Sequence, residues 1–130
     1  MSSIFSKIIA GEIPSYKIAE NEYCFAFLDI NPVQKGHALV VPKIEIDYIF
    51  DLNEDYYLAL HLFAKKVARA IEKVVPCERI GTAVIGLEVP HAHIHLIPIR
   101  GIHDIDFSRP RFQMDKAEFE KLAISIARAL

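Results

Sequence analysis

An α+β fold, a five-stranded antiparallel sheet packed with two main helices, is what this sequence predicts, and three observations carry the reading. Five segments have strand patterning and cluster together instead of alternating strictly with helices. Two segments repeat apolar residues at three- and four-residue spacing, as core-facing helices do. No Gly/Ser linker, repeat or low-complexity stretch divides the 130 residues, so residues 1–130 read as one domain.

Each element has a local cause. Ser2 or Ser3 caps a short helix through Ile4, Phe5, Ile8 and Ile9, ended by Gly11 and Pro14. Tyr16 and Ile18, then Tyr23, Phe25 and Phe27, alternate on either side of Glu20-Asn21-Glu22 and predict a hairpin. Asp29, Asn31 and Pro32 form a turn. Leu39-Val40-Val41 reads as a buried strand, entered through Gly36 and His37 and stopped by Pro42. Asn53 caps the longest helix, whose stripe runs through Leu60, Phe63, Val67, Ile71 and Val74 to Pro76. Strands over Ile80 to Leu87 and His91 to Ile99 follow. Asp115 with Glu118 opens a final helix striped by Phe119, Leu122, Ile126 and Leu130. Between them, Arg100 to Met114 has no clear period, and its Arg100, Arg109 and Arg111 read first as solvated cations and second as phosphate contacts.

Composition excludes several classes. With 52% hydrophobic and 25% charged residues, the chain is that of a folded soluble protein. Fifteen Lys and Arg against seventeen Asp and Glu, a net charge of −2, provide no basic field for long nucleic acid. No apolar run resembles a signal peptide or a membrane span, so the expected location is cytoplasmic. Cys24 and Cys77 are isolated and are expected to be buried thiols.

The chemistry is concentrated in Pro90-His91-Ala92-His93-Ile94-His95-Leu96. On a strand, alternate residues point to opposite faces, so the three imidazoles share one face while Ala92, Ile94 and Leu96 bury the other. Packing alone cannot satisfy three rings with two nitrogens each. Two functional readings follow: a metal site using His91 and His93, or an imidazole nucleophile oriented by its neighbours. Three collinear ligands reach one ion poorly, whereas the nucleophile reading uses all three. A neutral imidazole suits attack on phosphorus, protonated neighbours stabilise phosphate charge, and a phosphorylated imidazole leaves well. The middle residue, His93, is flanked on both sides and is the expected nucleophile.

These residues resemble the histidine triad family, whose signature is three histidines separated by single apolar residues. The resemblance extends through Ile4 to Pro14, Ala26 to Pro32 and Gly36 to Lys43, and is weak beyond Ile99. It implies a sheet that joins that of a second subunit in a homodimer, and hydrolysis or transfer of nucleoside monophosphate groups from a purine nucleotide substrate, with no cofactor. It further implies that His93 attacks the α-phosphate, that His95 contacts the phosphate or leaving side, and that His91 and His37 form a supporting hydrogen-bonded pair. Asp29 matches the position that holds the ribose hydroxyls, with Ile30 lining the base pocket beside it, and Gly86 matches a backbone approach to phosphate. Read without the resemblance, Asp29 and His37 are turn and strand-entry residues.

The sequence departs from the family pattern at three places. Ser3 and Ser6 stand where many relatives carry zinc-binding cysteines, so no structural zinc is expected. Ile80 replaces an amide residue, and Glu88 replaces a small hydroxyl residue that helps the departing group. A carboxylate there repels phosphate unless protonated or turned away, which makes a nucleotide-binding protein with little turnover the alternative to a phosphoramidase or dinucleoside-polyphosphate hydrolase.

Overall fold

The computed structural model describes residues 2–130. Ser3 opens helix α1 (Ile4–Ile9), its hydroxyl accepting the Ser6 N–H at 3.0 Å. Strands β1 (Lys17–Glu20) and β2 (Cys24–Leu28) form the hairpin, with Asn21 Oδ1 accepting the N–H groups of Tyr23 and Cys24 in the turn. Strand β3 (Ala38–Pro42) follows, then α2 (Glu54–Val74) capped by Asn53, β4 (Arg79–Ala83), β5 (Ile94–Ile99) and α3 (Lys116–Arg128). Asp115 and Glu118 make the reciprocal capping box at the head of α3. Single 3-10 turns cover Ile49–Asp51 and Ile102–Ile105.

The five strands pair antiparallel in the order β1-β2-β3-β5-β4. Alternation within the central strands divides the interior in two. Cys24, Ala26 and Leu28 of β2, Ala38 and Val40 of β3, and Ile94 and Leu96 of β5 pack with Leu60, Val67, Ile71, Leu122 and Ile126 of α2 and α3. The opposite residues Phe25, Phe27, Leu39 and Val41 pack with Phe5 of α1 in a smaller cluster. The face away from the long helices thus carries its own apolar floor, and the histidines emerge on that side.

Both strands flanking the histidine segment are shorter than expected, for identifiable reasons. The strand expected over Ile80 to Leu87 ends at Ala83, and Gly86, at φ +74°, turns the chain out of extended geometry. The strand expected over His91 to Ile99 begins only at Ile94. The β3–β5 ladder stops after Val40↔Ile94, where Pro42 lies ahead with no N–H to give. The segment attaches elsewhere: the Ala92 N–H donates to Ile46 O at 2.8 Å, and the Pro42 carbonyl accepts from the His91 ring. Of the two cysteines, Cys24 is buried as expected, but Cys77 is half-buried.

Candidate active site

Gly36 controls how His37 is delivered. Its φ is +90°, and a Cβ there would lie 3.0 Å from both Pro98 Cγ and Val75 Cγ2. The backbone therefore runs tight against the ends of β5 and α2, bringing the His37 ring behind His95 with Nε2 2.9 Å from His95 Nδ1. This corrects the expected pairing of His37 with His91: Leu39 stands opposite His95 in the ladder, and His37 reaches the near end of the triad, not the far one.

The hydrogen-bond directions fix the state of each ring. The Val33 N–H donates to His37 Nδ1 at 3.1 Å, so that nitrogen is bare. Burial, followed by the charges of Arg111 and His93, pushes His37 down to about 3, and burial pushes His95 down to about 3 as well. Both rings are neutral at pH 7. His37 then carries its proton on Nε2 and donates to His95 Nδ1, and His95 must carry its own proton on Nε2.

His91 is fully enclosed. Its Nε2 lies 2.8 Å from the Pro42 carbonyl, which only accepts, so Nε2 is protonated; burial lowers its pKa and keeps the ring neutral. Its bare Nδ1 accepts from the Ser3 hydroxyl at 2.7 Å. His93 Nδ1 lies 2.7 Å from the His91 carbonyl and must donate to it, which leaves Nε2 without a partner in the protein. No buried side-chain nitrogen or oxygen among the described residues lacks a partner. The Nε2 atoms of His93 and His95, with no protein partner of their own, therefore reach open space.

That space is a cavity of about 380 Å³ lined by Phe5, Asp29, Asn31, Leu39, Gly86, Glu88, His93, His95, Phe107 and Arg111, among others. A neighbouring cavity of about 370 Å³, walled by Tyr48, Phe50, Tyr57 and His61, shares Ile85, Gly86, Leu87 and His93 with it. Of the candidate residues, His93, His95, Asp29, Gly86 and Glu88 line the first cavity, while His37 and His91 stand behind it. Ile30 does not line it: the side chain is 73% exposed, and Phe5 and Leu39 supply apolar wall instead. Asp29 serves the turn as well, one carboxylate oxygen accepting the Asn31 N–H at 2.8 Å and the other lying 3.6 Å from His37 Nε2.

The 100–114 loop carries two wall residues, one of which the sequence did not indicate. The Phe107 ring packs edge-on against His95 and His37, its centroid 4.9 Å and 6.0 Å from theirs. Arg111 stacks over Phe107 and is the one cation of the three arginines that reaches the cavity. Arg109 is tied to the His103 carbonyl and to Asp104, and Arg100 lines a different depression.

Metal ligation is poorly served. Both ring nitrogens of His91 are engaged, which leaves His91 and His93 without a pair of free donors. Asp29, His37 and His95 bring one donor atom each within 4.8 Å of one another, but two of those atoms are hydrogen-bonded together. At the N-terminal position implied for zinc, His91 Nδ1 meets hydroxyls of Ser3 and Ser6 instead of thiolates, and the residues do not fit the ion.

A five-stranded antiparallel sheet presenting alternating histidines to a cavity is the arrangement of histidine triad proteins. The HIT domain family model matches residues 10–102, and the chain belongs to that family. A Bacillus subtilis protein named Protein hit is 41% identical over 108 residues, 78% of this chain and 73% of that one. Adenosine 5'-monophosphoramidase HNT1 of Saccharomyces cerevisiae is 39% identical over 98 residues, and the match spans 75% of this chain but only 62% of the yeast protein. Among solved structures, a Hit-like protein involved in cell-cycle regulation from Bartonella henselae superposes with a TM-score of 0.86 at 28% identity, covering 99% of this chain and 96% of that one. A zinc-bound histidine triad family protein from Mycobacterium smegmatis gives 0.82 at 27% identity over 98% and 95% of the two chains. No helix among the described residues is long and apolar enough to cross a membrane.

Proposed function

We propose that this protein is a nucleotide hydrolase or transferase that attacks the α-phosphate of a purine nucleoside phosphoramidate or dinucleoside polyphosphate through a nucleotidyl-histidine intermediate on His93. The observation that carries the reading is the setting of that ring: Nδ1 is committed to the His91 carbonyl, and the unpartnered Nε2 faces a cavity that also offers Asp29 for ribose hydroxyls and Arg111 for phosphate. The yeast relative's name, adenosine 5'-monophosphoramidase, supports the same chemistry.

In the first step the Nε2 lone pair forms a bond to the α-phosphorus as the bond to the leaving amine or phosphate breaks, and a departing amine takes its proton from water. The His95 Nε2–H donates to a phosphoryl oxygen, a contact that strengthens as charge builds there. Gly86, which carries no side chain, admits the phosphate close to the backbone. In the second step water attacks phosphorus, the nitrogen–phosphorus bond breaks, and the nucleoside monophosphate leaves with His93 restored. No metal or cofactor enters either step.

One observation favours a second reading, a nucleotide-binding protein with little turnover. Glu88 lines the same cavity, and its carboxylate opposes a phosphate there. We also propose a homodimer joined through β4, one of the two edge strands of the sheet and the neighbour of the strand that carries His95.

Steady-state hydrolysis of adenosine 5'-phosphoramidate by the wild-type chain and by Glu88→Ser tests these readings together. The hydrolase reading expects turnover by the wild type, increased or unchanged in Glu88→Ser. Tight binding of AMP by a wild type that shows no turnover would put the binding-protein reading in its place.

A further inference from the structure

The N-terminal helix is tied to the triad by a closed hydrogen-bond circuit in which each direction follows from the others. The Glu45 carboxylate accepts from the Ser3 N–H at 2.6 Å and from the Ser6 hydroxyl at 2.6 Å. Because the Ser6 proton is spent on Glu45, Ser6 does not compete for His91 Nδ1, from which its oxygen stands 3.4 Å away. The Ser3 oxygen accepts the Ser6 N–H at 3.0 Å, leaving its single proton for His91 Nδ1 at 2.7 Å. The His91 ring is thereby clamped between Ser3 and the Pro42 carbonyl. That clamp fixes the backbone whose carbonyl receives the His93 Nδ1–H at 2.7 Å. A serine pair and a carboxylate, which cannot assemble a thiolate zinc site, make a hydrogen-bonded brace at the same place.

We propose that Glu45 and Ser3 are positioning residues for His93, acting through Ser6 and the ring and carbonyl of His91, and that this circuit does without a metal what a bound ion would do for His91. The effect on turnover rests on the function proposed above; the effect on the His93 ring does not. Glu45 is exposed on the loop after β3 and does not line the cavity, and its carboxylate meets the triad through this circuit.

The test is long-range proton–nitrogen NMR of histidine-labelled protein, with hydrolysis of adenosine 5'-phosphoramidate measured in parallel, on wild type, Ser3→Ala, Ser3→Thr and Glu45→Ala. The wild type is expected to show His91 protonated on Nε2 and His93 on Nδ1. Ser3→Ala and Glu45→Ala are expected to turn the His93 signal into a mixture of tautomers and to lower kcat about tenfold with KM changed less than about twofold, as losses of supporting hydrogen bonds do. Ser3→Thr, which keeps the hydroxyl, restores both. If Ser3→Ala fails to fold, the exposed Glu45→Ala carries the test. Variants that lose stability yet keep the wild-type His93 tautomer and kcat would overturn the proposal and reduce the circuit to an anchor for α1. One equivalent of zinc retained by the purified wild type would overturn it as well. A wild type with no turnover removes the proposed function, while the tautomer spectra still decide the positioning claim.

Discussion

At His95, the direction of one hydrogen bond decides what the side chain offers a substrate. Because His37 donates to Nδ1, His95 presents an N–H to the cavity; without His37 its proton is free to occupy either nitrogen. His37→Ala is expected to lower kcat/KM about ten- to a hundredfold while AMP still binds, as steady-state kinetics beside calorimetry would show. The three triad histidines were legible in the sequence because their alternation with Ala92 and Ile94 has a direct geometric meaning on an extended chain. Their pairings were not: the resemblance pointed to His37 but joined it to His91 instead of His95, and nothing pointed to Ser3 as the partner of His91. His37 lies 58 positions from His95, Ser3 lies 88 from His91, and no local pattern encodes a register between distant segments. Phe107 was hidden for a related reason: it sits in a loop without periodicity, held by contacts such as Phe112 N–H to Pro32 O at 2.8 Å.

Elements were legible wherever a cap or a breaker marked them. Ser3, Asn53 and Asp115 each accept from the N–H three residues on, as their residue types at those places predicted. Asp115→Ala is expected to cost about 1 kcal/mol, read as a lower urea midpoint, with kcat unchanged because α3 packs on the far side of the sheet from the cavity. Strand ends around the triad were less legible, since they depend on what lies across the sheet. Pro42 stops β5 from a neighbouring strand, and the chain after β4 turns away at Gly86 through a positive φ that composition alone does not declare. Gly36 joins element to site: Gly36→Ala must adopt an unfavourable φ and crowd Pro98 and Val75. Its expected loss is about 1–3 kcal/mol in urea unfolding, accompanied by lower kcat as His37 shifts.

For the whole molecule, buried neutral histidines set the acid limit of stability, His37 and His95 most strongly and His91 in the same direction. In the unfolded chain these rings have pKa values near 6.5, whereas in the fold His37 and His95 are pushed down to about 3. Between those values the unfolded state binds more protons, so stability is full above about pH 6.5 and is lost as pH falls toward 3. The urea midpoint is therefore expected to drop from pH 7.5 to pH 5, with a shallower drop in His37→Gln. The α+β class and the sheet of five strands were visible in the clustering of strand-like segments, but the division into a helix-packed side and a reactive side became apparent only from the strand order. That division lets one chain bury Ile94 and Leu96 in its main core while His93 and His95 face a cavity. The proposed covalent bond between His93 Nε2 and the α-phosphorus can be read by intact-protein mass spectrometry after brief mixing with adenosine 5'-phosphoramidate. A transient mass increase of one adenylyl group is expected on the wild type and none on His93→Ala; an adduct of equal yield on His93→Ala, or turnover by the wild type with no adduct at any mixing time, would rule that bond out.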